Sequence, residues 1–213
     1  MAHDQYDNPG SKVLSPARLA HVVLRTGNFA TMVQFWKTFT GGYATYENDF
    51  LSFITYDEEH HRIAIAAVPG TGSKIANSSG LGSVSLSVVG GVDRSNTIAE
   101  HIAFTFDTLE DLALAYRQRK ARGILPVWSV NHGPTTSIYY KDPDGNMIET
   151  QVDNFDTVEA ANSFMSSKEF AQNPIGTDFD PEELIEKLRR GENPANIKKR
   201  IEIGPRGIPM ELT

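Results

Sequence analysis

The stretch His132 to Glu149, HGPTTSIYYKDPDGNMIE, carries the clearest pattern in the chain. Ser137 to Tyr140 has the β-branched and aromatic composition of a strand, and Met147 to Val152 predicts a returning strand. Residues 142–145, DPDG, predict the turn between them, because proline presets its own φ and glycine accepts a positive φ. Burying an unpaired carboxylate is expensive, so Glu149 must face water, a partner or a metal ion. Taken alone, this stretch also fits an ordinary hairpin with Glu149 on its wet face.

Composition excludes several classes of function. The 213 residues suffice for one substantial domain or two small modules, and a formal net charge of −7 argues against nucleic-acid binding. The chain has no cysteine, which excludes disulfides, thiolate metal sites and a cysteine nucleophile. Residues 1–14 lack the apolar core of a secretory signal, and no apolar run approaches the ~20 residues that span a bilayer. We therefore expect a soluble, cytoplasmic protein with neither a nucleic-acid nor a membrane partner.

Periodicity predicts the same succession of elements twice, β-α-β-β-β. The first copy consists of a strand 18–24, a helix 29–39 capped by Asn28 and ended by Gly41-Gly42, and strands 43–47, 51–56 and 61–68. The second consists of a strand 101–107, a helix 109–121 and strands 125–130, 135–140 and 147–152. His21, in the middle of the first strand, and His101 fall on equivalent strands. The pattern indicates an internal repeat.

These elements predict an α+β fold with two βαβββ modules that form one cupped mixed sheet. The expected organisation is a flexible arm 1–14, a domain 15–155 with modules at about 15–68 and 100–152 joined by a linker 69–99, and a C-terminal tail 156–213. The tail reads as helical and extended, with one helix at 157–164 and another from Pro181 to about Arg190, capped by Asp180. Packing against the domain or a sister subunit is its expected role.

Histidines and one carboxylate form the candidate site. A single histidine on a strand is more often a hydrogen-bonded core residue than a ligand. However, His21 and His101 lie on equivalent strands, and two paired modules can place both strands in the wall of one cup. Glu149 can face the same cup. Two imidazoles and one carboxylate are the ligands of a mononuclear non-haem Fe(II) site with open positions.

The segment from Val130 resembles the signature of the type I extradiol ring-cleavage dioxygenases. Two further stretches, RLAHVVL at 18–24 and HHRIAIAAVP at 60–69, resemble the strands that carry the first histidine ligand and the acid–base histidine of that family. The resemblance covers about residues 15–155 and implies a one-domain member of the vicinal oxygen chelate (glyoxalase–bleomycin resistance) superfamily. Thr135 departs from the pattern, since an acidic residue usually stands there. The matching signature positions are His132, Ile138, Tyr139, Asp142, Pro143, Gly145 and Glu149.

This resemblance implies an enzyme of aromatic hydrocarbon catabolism that uses O2 to open the ring of a catechol-type diol. His61 would act first as a base and then as an acid, while His132 and Tyr139 would donate hydrogen bonds to the diol oxygens. A homo-oligomer is expected. The implied ligands of the Fe(II) ion, for which Mn(II) is the alternative, are His21, His101 and Glu149.

Several alternatives stay open at the level of sequence. Strand alternation allows only one of Tyr139 and Tyr140 to face the cup, and the same holds for His60 and His61. His132 could simply cap a turn. Two other functions fit the same fold: a metal-dependent isomerase, lyase or hydrolase that does not use O2, and a metal-free protein that binds small molecules in the cup.

Overall fold

The computed structural model describes residues 11, 13–71 and 101–206. Most of the predicted arm 1–14, most of the predicted linker 69–99 and the end of the predicted tail lie outside the described residues. Within the described ranges, no helix is long and apolar enough to cross a bilayer.

The first module forms a four-stranded sheet with one helix. β1 lies parallel to β4, and the other neighbouring strands are antiparallel, in the order β1-β4-β3-β2. This confirms the predicted β-α-β-β-β succession. Its elements are β1 (Val22–Thr26), α1 (Phe29–Thr40), β2 (Tyr43–Glu47), β3 (Leu51–Thr55) and β4 (Ile63–Ala67).

The second module repeats this topology, and the tail adds a strand to it. The sheet order is β5-β8-β7-β6-β9, with β5 parallel to β8 and β9 contributed by the tail. The module consists of β5 (His101–Thr105), α2 (Leu109–Lys120), β6 (Trp128–Asn131), β7 (Thr135–Lys141) and β8 (Met147–Asp153). The tail contains α3 (Val158–Met165), α4 (Lys168–Gln172), β9 (Thr177–Asp178), α5 (Pro181–Arg189) and α6 (Pro194–Ile197).

One hydrophobic core joins the two modules. Trp36 and Phe39 of α1 are buried in it together with Leu112 of α2 and Tyr140 of β7. The rings of Phe39 and Tyr140 meet edge to face with centroids 5.3 Å apart. Each such buried side chain stabilises the fold by about 1.5–3 kcal/mol relative to an exposed one. α1 and α2 cover one face of each sheet. A substrate can therefore be bound only on the opposite face, which we call the distal face.

The strands form two sheets, which corrects the prediction of one continuous cupped sheet. Side chains of β5 line a groove together with His21 and Val22, so the two modules do approach each other along β1 and β5. In the described part of the chain, however, β1 and β5 do not pair through their backbones, so the two sheets are separate. Side-chain packing holds the two edges together.

Three local predictions need correction. His21 directly precedes β1 instead of lying in its middle, because the ladder starts where the Val22 amide donates to the Arg62 carbonyl, at 2.9 Å. His61 also lies outside its predicted strand, two residues before β4. Asn28 stands at the start of α1, but its side chain caps nothing. Instead the backbone amide of Asn28 donates to the Thr26 hydroxyl, at 2.8 Å.

Candidate active site

Strand register places the predicted site residues of the second module on the distal face of its sheet. Tyr139 on β7 and Ala103 on β5 both pair with Glu149 on β8, so these three side chains point the same way. His101 lies two residues before Ala103 on β5 and shares this face. Tyr140 points the opposite way, into the core. Of the two tyrosines that the sequence left open, the distal face therefore carries Tyr139.

Glu149 is a buried carboxylate held by a histidine. Only 5% of the residue is exposed, and its Oε2 atom lies 2.9 Å from Nε2 of His101. Burial by itself would raise the pKa of Glu149, but hydrogen bonds from His101 and Ser137 outweigh this effect and lower the pKa. The carboxylate is thus ionised at neutral pH, as a metal ligand must be.

His132 and Tyr139 form a second pair beside the first. Nε2 of His132 lies 3.0 Å from the Tyr139 hydroxyl, and Nδ1 lies 2.6 Å from the carbonyl oxygen of Ile175. Burial lowers the pKa of His132, although its hydrogen bond to Ile175 opposes the shift. The indole of Trp128 stacks on the Tyr139 ring with centroids 5.0 Å apart. His132 is therefore a partner of Tyr139 and does more than cap a turn.

The remaining predicted residues lie on the first sheet. The rings of His21 and His61 are 4.3 Å apart, and His61 also stacks on Phe53, at 4.4 Å. Phe53 pairs with Ala64 and projects from the distal face of this sheet. Partial burial lowers the pKa of His61, and the neighbouring His21 lowers it further. The side chain of His60 is 70% exposed, so His61 is the more enclosed of the two, and its place in the site stays a prediction.

The structure brings the candidate ligands together only in part. It pairs His101 with Glu149 and His21 with His61. Across the described residues, three histidine, cysteine or acidic side chains do not come close enough together to form a metal site. An imidazole and a carboxylate on one face are donors that suit Fe(II) or Mn(II), so the His101–Glu149 pair fits such an ion. The full set of three ligands stays a prediction.

Sequence reasoning missed several residues of this site. Ser137 donates a hydrogen bond to Glu149, and alternation along β7 from Tyr139 was the signal that could have found it. The carbonyl of Ile175 and the buried Arg200 give no such signal. Both come from the tail, and their role depends on how the tail folds back onto the His132 loop.

Comparison with known proteins agrees with this architecture. The model of the glyoxalase/bleomycin resistance protein/dioxygenase superfamily matches residues 18–150. Two proteins of Rhodococcus globerulus, biphenyl-2,3-diol 1,2-dioxygenases 2 and 3, are each 40% identical over 174 residues, which is 82% of this chain and 83% of theirs. A solved glyoxalase/bleomycin resistance protein/dioxygenase from Nocardioides shares the fold, at 15% identity and a TM-score of 0.50, over 72% of this chain and 93% of its own.

The family match covers both modules, and the relatives at 40% identity span most of the chain, including much of the tail or arm beyond the modules. The distal face of the second sheet carries the acidic, imidazole and phenol groups that the signature requires. The chain belongs to the glyoxalase/bleomycin resistance protein/dioxygenase superfamily, and within it to the extradiol ring-cleavage dioxygenases.

Proposed function

We propose that the protein is an Fe(II)-dependent dioxygenase that inserts both atoms of O2 into an aromatic vicinal diol and opens its ring. One observation carries the proposal. The His101–Glu149 pair, of which the carboxylate is buried, and the His132–Tyr139 pair lie side by side on one sheet face, with the ring centroids of His101 and Tyr139 5.4 Å apart. Metal ligands and hydrogen-bond donors are thus arranged around one small volume.

His101 and Glu149 would hold the metal ion, with His21 as the third ligand. His21 directly precedes β1, which is the strand equivalent to β5, and it lines the groove that runs along β5. When bound, a divalent iron ion acts as a Lewis acid toward the diol and brings diol and O2 together. The chain itself supplies the orientation of the reactants and the proton transfers.

Tyr139 is the group that would contact the diol oxygens. Its hydroxyl lies between His132 and Glu149 and carries a single hydrogen, which it donates to one acceptor at a time: Nε2 of His132, Glu149 or, with substrate bound, a diol oxygen. A neutral His132 with its proton on Nδ1 has no N–H left for the substrate. His132 therefore acts behind Tyr139 as a positioning residue, which differs from the sequence-based expectation that both donate directly. A hydrogen bond to a charged oxygen is worth about 1.5–3 kcal/mol.

His61 would move the protons of the reaction. Its lowered pKa keeps the imidazole neutral at physiological pH, as a base that accepts a hydroxyl proton must be. After the first transfer the same ring, now protonated, can return its proton to a leaving oxygen. Its stacking against Phe53 and His21 fixes the plane of the ring.

The surroundings suit an aromatic substrate. Trp128 and Tyr139 on the second sheet and Phe53 on the first present ring faces and edges next to the polar groups. The named activity of the Rhodococcus relatives makes biphenyl-2,3-diol the first compound to test. We propose a catechol-type diol with an apolar substituent as the substrate class.

The direct test is oxygen uptake. Protein loaded anaerobically with Fe(II), and in parallel with Mn(II), is exposed to air with catechol or biphenyl-2,3-diol. We expect stoichiometric O2 consumption and the yellow colour of a ring-fission product from at least one diol. If protein that retains one iron ion per chain consumes no O2 with any diol of a panel, the proposal fails and a metal-dependent isomerase, lyase or hydrolase becomes the better reading.

A further inference from the structure

The C-terminal tail reaches into the site through one backbone atom. The carbonyl oxygen of Ile175 lies 2.6 Å from Nδ1 of His132. A carbonyl oxygen can only accept, so Nδ1 must carry the hydrogen, whatever the charge of the ring. In the neutral ring, Nε2 is then an acceptor, and it lies 3.0 Å from the Tyr139 hydroxyl. This is the less common tautomer of a histidine in water, so something has to enforce it.

The side chain of a buried asparagine stabilises the turn that orients this carbonyl. Asn173 is 1% exposed, and its side chain bonds both polar groups of the Gly176 backbone. Its Oδ1 accepts from the Gly176 amide at 2.8 Å, and its Nδ2 donates to the Gly176 carbonyl at 3.1 Å. Residues 173–176 form a rigid turn, which we call the tail turn, and Ile175 lies inside it.

The tail turn touches the His132 loop without space for a side chain. Gly176 has a φ of +105°, and a Cβ atom there would lie 2.2 Å from the carbonyl oxygen of Asn131 and 2.8 Å from Cα of His132. Directly after it, Thr177 pairs with Asn131 as β9 joins the edge of the second sheet. The pairing of β9 with β6 therefore fixes the position of the tail turn relative to His132.

Arg200 clamps the same two segments from the other side. Its Nη1 donates to the carbonyls of His132, at 3.0 Å, and Asn173, at 2.7 Å. Its Nη2 donates to the Glu169 carbonyl, at 3.2 Å, and the guanidinium is paired with Glu202. A buried cation that binds carbonyls of both the loop and the tail turn holds them in one register.

We propose that the tail turn is a positioning element of the active site: the Ile175 carbonyl holds the proton of His132 on Nδ1, so that only Nε2, facing Tyr139, exchanges a proton with the site. Thr135, which stands where the signature usually has an acidic residue, has a carbonyl that accepts from the His132 backbone amide and a hydroxyl that bonds Ser137. The tail supplies the missing acceptor. The consequence for turnover rests on the proposed function, whereas the tautomer is a property of the metal-free protein.

The test reads the tautomer directly. Long-range ¹H–¹⁵N correlation spectra of the metal-free, full-length protein report which ring nitrogen of each histidine carries hydrogen, and His132→Gln identifies its signal. We expect His132 in the Nδ1–H form. Gly176→Ala should shift it toward the Nε2–H form, because the added Cβ pushes the tail turn away from Asn131. Gly191→Ala is the matched control, since Gly191 has a similar positive φ of +74° and open space around it.

The outcomes separate the two proposals. An Nε2–H signal in the unaltered protein, or an unchanged Nδ1–H signal in folded Gly176→Ala, would overturn the inference. If Gly176→Ala gives no native spectrum, Arg200→Lys is read in its place with the same two outcomes. We also expect kcat to fall about 100-fold in Gly176→Ala at unchanged iron content, the size of effect that a misplaced group produces. An Nδ1–H signal in a protein that cleaves no diol would sink the proposed function and leave the inference standing.

Discussion

The two sheets have the same strand connectivity, but their distal faces differ in solvent exposure. In the first module β2 is largely exposed, and Val23 and Tyr46 present apolar surface to solvent. In the second module the equivalent strand β6 is buried at three of its four residues. The second sheet is extended by β9 from the tail, whereas β2 ends the first sheet within the described residues. Residues outside the repeat therefore decide how exposed to solvent each face is.

This difference assigns different chemistry to the two faces. The buried face can hold Glu149 ionised, because His101 and Ser137 donate to it and few waters compete. His61 lies beside Phe53 on the more open face. Under the proposed function, the second sheet would supply the ligands His101 and Glu149, and the first module would supply His21 as the third ligand and His61 as the proton carrier. Three sets of substitutions test this division and a fourth tests the docking of the tail, from the largest expected effect to the smallest.

Glu149→Gln should have the largest effect. The change keeps the shape of the side chain and removes the charge that a divalent ion needs. We expect iron content to drop and activity to fall by more than the ~10⁴-fold upper limit for loss of an acid–base group. Metal analysis after dialysis, with O2 uptake, measures both. A variant that keeps one iron ion per chain and most of its activity would remove Glu149 from the ligand set.

His61→Ala should lower kcat by about 10²–10⁴-fold, the usual contribution of a general acid–base group, at unchanged iron content. His60→Ala is the matched control, because that ring is largely exposed and should matter less than twofold. Steady-state kinetics with iron analysis separates the effects. Loss of iron in His61→Ala would show instead that the first sheet supplies His61 as a ligand.

Tyr139→Phe and Tyr140→Phe compare two neighbours on opposite faces of β7. Removal of the Tyr139 hydroxyl should reduce kcat roughly 10- to 100-fold, which corresponds to one hydrogen bond to a charged oxygen. Burial raises the pKa of Tyr140 to about 12, so its hydroxyl stays protonated in the core. Within the described residues the Tyr140 hydroxyl makes no hydrogen bond, so Tyr140→Phe should change the unfolding free energy by less than about 0.5 kcal/mol and leave kcat unchanged. Equal effects of both changes on kcat would refute the assignment of faces.

Glu182→Gln should have the smallest effect, on the docking of the tail alone. Glu182 accepts from Lys120, Tyr116 and Arg117, and these contacts lower its pKa from 4.5 to about 2. Since the folded-state pKa is the lower one, the stabilisation is complete above about pH 4.5 and is lost as the pH falls toward 2. We expect Glu182→Gln to melt slightly earlier than the unaltered protein at pH 7.

Two comparisons complete that test. The difference in melting temperature between Glu182→Gln and the unaltered protein should close near pH 2, because Glu182 is half protonated there. Glu186→Gln is the control, because Glu186 bonds only Arg189 of its own helix among the contacts described. A gap that persists at pH 2, or an equal loss in Glu186→Gln, would contradict a role for Glu182 in docking the tail.

Local patterns predicted the elements of the modules and two tail helices, α3 and α5, but missed the five-residue helix α4. The period of two in 135–140 and 147–152 gave β7 and β8 to within a residue, since the DPDG turn fixed their register. The helix that begins at Pro181 was found because Asp180 accepts from the Glu182 amide, as its cap position predicts. β9 and α6 were missed. A two-residue strand exists only because the edge of β6 offers unpaired backbone groups, and no local sequence encodes that edge.

By itself, the sequence determined the duplicated βαβββ pattern, the signature from His132 to Glu149 and the chemical types of the site residues, because strand period, turn residues and side-chain chemistry are local properties. Only the tertiary structure decided that Tyr139 shares a sheet face with Glu149, that His61 is less exposed than His60, and that the Ile175 carbonyl meets Nδ1 of His132. These depend on register and on contacts between segments some forty residues apart. A backbone carbonyl is the same in every residue, so only its position makes Ile175 part of the site.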